Sequence, residues 1–151
     1  MKALTIQQPY THLICHQQSE LPAGVIQKWV ENRIWRTNFR GTFAIHAGQS
    51  LKWFKGGDWP IVPKKPSDVP EMAFGAIVGV ADLVLCLDEK TGAKWIATHH
   101  HATGPFLWVL ANVYRLEQPV LVTGKLGFWT VPADVERQVN EQQKIFIPGN
   151  H

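Results

Sequence analysis

The stretch KWVENRIWRTNFRGTFAIHA, residues 28–47, decides how this chain is read. Its end, Thr42-Phe43-Ala44-Ile45-His46-Ala47, alternates cleanly, with Phe43, Ile45 and Ala47 on one face and Thr42, Ala44 and His46 on the other. That period of two predicts a β-strand. Ahead of it, Lys28, Glu31, Arg33, Arg36 and Arg40 are interleaved with Trp29, Trp35 and Phe39. Cations hold phosphates, while flat rings and guanidinium planes stack on bases. This mixture beside rigid scaffold suits a surface that binds nucleobases or phosphates.

The flanking sequence supplies the scaffold. Lys2 to Ile6 reads as a short strand, and Pro9 opens a helix that carries Tyr10, Leu13 and Ile14 on one face and fades near Gln18. Leu21 to Gly24 is a turn. From Gly48 to about residue 72 the chain is rich in Gly, Pro and Lys, with one helical turn near Gln49 to Phe54. A loop of that length is expected to be functional or mobile. Gly75 to Leu87 is the strongest strand. Glu89 to His101 is predicted helical, with Asp88 as its cap. Strands follow at Phe106–Leu116, Pro119–Val122 and Gly127–Val131, then a helix from Pro132 to Gln143, and Ile145-Phe146-Ile147 as a closing strand or docked tail. Five or six strands, few helices and no βαβ rhythm predict a single α+β domain over residues 1–151, built as a small β-barrel.

Composition sets the bounds. The chain has 151 residues, 45% of them hydrophobic and 18% charged, which is globular and long enough to bury a real core. A formal charge of +3 permits an anionic partner without requiring one. Seven Trp are too many to assign wholly to packing. Cys15 and Cys86 stand alone with no CxxC spacing, which predicts reduced thiols and no zinc knuckle. The sequence carries no leader-like start, and its longest apolar run, Ala76 to Leu87, is too short to span a bilayer. The expectation is a cytoplasmic protein away from membranes, with no cofactor. His99-His100-His101 does not converge on one ion from a helix, so a solvated loop is expected there rather than a metal site.

Several blocks in order carry a resemblance. They are Ile6-Gln7-Gln8-Pro9-Tyr10; Gly24 and Lys28 with Glu31-x-Arg33-x-Trp35; Arg40-Gly41 with Ile45-His46-Ala47; Gly75 to Leu83; Gly104-Pro105-Phe106 with Trp108-Val109-Leu110; and Lys125 to Trp129. Together they resemble the ASCH domain, a family related in fold to PUA domains. The resemblance implies a PUA-like β-barrel with a cleft beside the first helix, where relatives bind RNA, DNA or modified nucleosides. Some relatives hydrolyse N4-acylated cytidines with a lysine, a threonine and a glutamate, and one is described as a ribonuclease. In that hydrolase pattern threonine follows the lysine by three residues. Here Glu31 occupies the place, so the hydroxyl nucleophile is missing from the matching position.

Two functions are therefore weighed. In the first, the chain recognises RNA, DNA or a modified nucleoside. Arg33, Arg36, Arg40 and Lys28 supply charge, Trp35 and Tyr10 stack on a base, and Glu31 and Gln8 bond to a base edge. In the second it is a small hydrolase of modified nucleosides or RNA, with Lys28 and Glu31 as its catalytic pair. His46 is a candidate base or a satisfied structural histidine. A Glu31–Arg33 or Glu31–Lys28 ion pair that only fixes the loop is the alternative for those residues. Lys52, Lys55, Lys64 and Lys65 form either an electrostatic rim or a solvated loop face, and Trp53, Phe54 and Trp59 are read as a lid over the cleft. A protein-interaction surface built on exposed Trp is a third possibility.

Overall fold

The first strand, β1 (Lys2–Ile6), pairs in parallel with β3 (Gly41–Ala47), Leu4 lying opposite Ile45. Between them the chain passes through α1 (Tyr10–Ile14) and β2 (Val30–Arg33). The remaining strands are β4 (Ala76–Leu87), β5 (Phe106–Leu121), β6 (Phe128–Thr130) and β7 (Lys144–Ile147), and every other pairing is antiparallel. This computed structural model describes residues 1–55, 63 and 65–148. Among the described residues seven strands make one curled, mixed sheet in the order β2-β5-β4-β3-β1-β6, with β7 beside β5. Helices α2 (Ala93–Thr98) and α3 (Ala133–Glu141) complete an α+β architecture.

The curl has local causes. Register shifts interrupt the β4–β5 pairing after Ile77, Val80 and Leu83, and the β3–β4 pairing after Ile45. Each adds bend and twist to a long strand. Asn112 sits at one of them with φ +50°, and its amide donates to Asp82 at 2.9 Å. Gly79 marks a close approach, because a Cβ there would lie 2.6 Å from the Tyr114 carbonyl oxygen.

One face of the sheet buries Leu4, Ile6, Phe43, Ile45, Leu83 and Trp108 with Ile14 of α1. The opposite face buries Ala3, Ala44, Ile77 and Val80 beneath Val135 and Val139, which are one helical turn apart on α3. The alternation of β3 thus describes two buried faces rather than one, since α3 and β6 cover the side that carries Ala44 and His46.

Other boundaries shift for identifiable reasons. Helix α1 stops at Ile14, where Arg115 takes the Cys15 carbonyl at 3.1 Å and turns the chain toward a separate capped turn, Gln18–Glu20. Helix α2 is shorter than expected, because the Asp88 carboxylate accepts from Thr91 at 2.7 Å and builds the preceding turn instead of capping the helix. The two strands expected at 106–122 are one, and Pro119 is accommodated between Arg115 and Val120, where β5 makes no pairing with β4. In the long loop, Phe54, Val69 and Met72 are buried together against Phe74. No helix among the described residues is long and apolar enough to cross a membrane.

Candidate functional site

Strand β2 is four residues long, and its pairing to β5 sets Glu31 opposite Trp108 and Arg33 opposite Phe106. Alternation puts the side chains of Glu31 and Arg33 on a common face. Just before the strand, the Lys28 amide donates to the Leu13 carbonyl at 2.9 Å, which fixes Lys28 against α1. All three residues line one cleft of about 780 Å³, whose walls include Tyr10, Trp35 and Trp53.

The floor is a charge triad. Glu31 meets the Arg33 guanidinium at 2.9 Å through one oxygen and the Lys28 ammonium at 3.4 Å through the other. Arg33 also donates to the Thr5 carbonyl at 3.0 Å and lies 5.6 Å from the ring centres of both Trp35 and Trp108. Its Nε is buried without a hydrogen-bond partner among the described residues. The Lys28 side chain is only 3% exposed, with Tyr10 beneath its ammonium at 5.4 Å. Burial lowers the Lys28 pKa, the Glu31 carboxylate opposes that shift, and Arg33 adds to it. Two cations sharing one carboxylate in a desolvated pocket favour loss of a proton from the lysine.

His101 sits at the same wall. Its Nε2 donates to the Ile26 carbonyl at 2.8 Å, and burial reinforced by the nearby Lys28 charge lowers its pKa to about 4. His99 packs edge-on to Trp29 at 4.1 Å and is lowered to about 4 for the same two reasons. The solvated triple-histidine loop expected from sequence therefore needs correction: His100 alone is exposed, while His101 is buried. No metal-binding cluster occurs among the described residues.

The structure thus gathers five of the nine residues read as a binding site: Tyr10, Lys28, Glu31, Arg33 and Trp35. The other four lie elsewhere. Gln8 is 2% exposed, and its amide donates to Ala73 and accepts from the His12 backbone, so both ends are spent on its own chain. It lines a second cavity of about 200 Å³ with His12, His16 and Cys15. There burial lowers His12 to about 4 and raises the Cys15 thiol to about 12. Arg36 pairs with Asp88 at 3.3 Å over the Phe106 ring, and Arg40 donates to the carbonyls of Thr37 and Phe39. His46 is buried between the Thr5 hydroxyl (3.1 Å from Nδ1) and the Val122 carbonyl (2.7 Å from Nε2), with its pKa lowered by burial. Those contacts fit a neutral structural histidine.

Neither models of known protein families nor curated protein sequences match this chain.

Residues that sequence reasoning did not place at the cleft include Thr5, Asn32, His101 and Lys125. Asn32 clamps the far wall, donating to the His101 carbonyl and accepting from the Thr103 and Gly104 amides. Its position inside an alternating β2 is the one signal that points to it. Of the aromatic lid, Trp53 lines the cleft edge-on to Tyr10 at 6.4 Å, while Phe54 packs inward. Trp59, Lys64 and the Lys55 side chain fall outside the described residues.

Proposed function

We propose that this chain is an ASCH-type, PUA-like module that binds RNA or a nucleoside derived from it. The observation that carries this reading is the convergence of Lys28, Glu31, Arg33 and Trp35 on one cleft, with Tyr10 and Trp53 as further ring walls. Trp35 is 43% exposed, which leaves ring surface for a base beside its contact with Arg33, whereas Trp108 behind it is in the core. Stacking is worth about 1–3 kcal/mol per base. Both Glu31 oxygens already face cations, so charge and stacking support the reading more than a carboxylate contact to a base edge does.

The test is titration of a short single-stranded oligoribonucleotide against wild type and Trp35→Ala. The variant loses about tenfold or more in affinity. Two or three contacting cations predict that raising salt from about 50 to 200 mM weakens wild-type binding by about tenfold. Binding that ignores both changes would remove the proposal.

A second reading, hydrolysis of an acylated cytidine, is favoured by one observation, the buried Lys28 amine with its lowered pKa. Turnover of N4-acetylcytidine that disappears in Lys28→Met supports it. Binding without turnover across a nucleoside panel excludes it.

A further inference from the structure

The cleft is unbalanced in charge. Histidines aside, its described lining carries three cations, Lys28, Arg33 and Lys125, against one carboxylate, Glu31, a surplus of two positive charges. The surplus is unevenly placed. The Lys28 and Arg33 side chains are 3% and 17% exposed at the floor, while Lys125 stands exposed at the mouth. The Arg33 Nε adds a covered donor with no partner among the described residues. Beside Lys125 the mouth also exposes apolar surface: Trp35, Trp53 and Leu126 are 43%, 45% and 98% exposed.

Charge interacts most strongly where water is excluded, so the floor is where an anion gains most. Exposed rings at the mouth offer a phosphate little and a base a great deal. Resting on the nucleotide reading above, we infer that the cleft takes a terminal phosphate first. A phosphomonoester sits on Lys28 and Arg33, and its base lies against Trp35 and Trp53. A phosphomonoester carries about −1.5 to −2 charges near neutral pH, which balances the single net positive charge of the floor together with Lys125 at the mouth and keeps Lys28 protonated. An internal phosphodiester carries only one negative charge, enough for the floor but not for the floor and Lys125 together, and is substituted on both sides, so it presents no free end. The selected ligand class is a nucleotide, or an RNA end, that bears a free phosphate.

Calorimetric titration of wild type with four probes tests this: cytidine, cytidine 5′-monophosphate, the methyl ester of that monophosphate, and inorganic phosphate, with the nucleoside series repeated for adenosine. The monophosphate binds at least about tenfold tighter than both its methyl ester and the nucleoside, and inorganic phosphate competes with it. Lys28→Met, checked for folding by circular dichroism, erases the preference. Because the wild-type series decides alone, a variant that fails to fold leaves the test intact. Equal affinity for the monoester and its methyl ester overturns the phosphate-first arrangement and leaves the nucleotide reading standing. Absence of binding by every nucleoside and nucleotide probe overturns both.

Discussion

Glu31 meets Arg33 at 2.9 Å through the carboxylate oxygen that Lys28 does not face, so one acid engages a buried and a half-buried cation and keeps both at the cleft. Removing that acid leaves two like charges in a desolvated floor. Breaking a buried pair by deleting one partner costs about 3–5 kcal/mol. Glu31→Gln is expected near the lower end of that range, because Lys28 can shed its proton. Urea unfolding measures it. Adding Lys28→Met to Glu31→Gln should recover part of the loss, and a strictly additive double variant would contradict the coupling.

The two neighbouring tryptophans separate function from packing. Trp35→Ala removes a half-exposed ring and should change stability by less than about 1 kcal/mol, whereas Trp108→Ala, in the core, should cost about 3–5 kcal/mol. Thermal or chemical melts of the two variants check this. A destabilised Trp35→Ala would mean that the ring is part of the core.

Gln8 makes the opposite contrast. Its buried amide bridges the Ala73 carbonyl and the His12 amide, at 2.7 and 2.9 Å. Gln8→Ala strands both groups and is expected to cost about 2 kcal/mol. Ligand affinity of the folded variant should remain that of wild type. A selective loss of affinity would return Gln8 to the site.

Acid should weaken the fold before the carboxylates titrate. His12, His99 and His101 are held near 4 by burial, against 6.5 for an unperturbed imidazole. Between those values the unfolded chain binds more protons than the folded one, so stability falls as pH drops from about 6.5 toward 4 and levels off below. Urea midpoints at several pH values follow this. His101→Asn should flatten the slope, and a slope unchanged in that variant would contradict the assignment.

Much of the architecture was legible because the strands are strongly patterned. The alternation at 42–47 and the long apolar run at 76–87 became β3 and β4 nearly as read. Boundaries failed where tertiary contacts intervened: Arg115, 100 residues away, terminates α1, and Thr91 draws Asp88 into a turn. At the site, residues 28, 31, 33 and 35 were legible because charge and rings share a short extended segment. Arg36 and Arg40 belong to the same run but are turned to Asp88 and to local carbonyls. Thr5, His101 and Lys125 were not legible, because they come from three separate segments that only the fold brings together, and Asn32, inside the legible segment, carries neither charge nor ring.

The central claim is that the cleft floored by Lys28, Glu31 and Arg33 is where a nucleotide sits. Photocrosslinking a 4-thiouridine-containing oligoribonucleotide to wild type, with the adduct mapped by mass spectrometry, tests it most directly. The adduct is expected on Tyr10, Trp35 or Trp53. Adducts confined to the surface around Arg36 and Arg40 or to the second cavity beside His12 and His16, or no specific adduct, would contradict it.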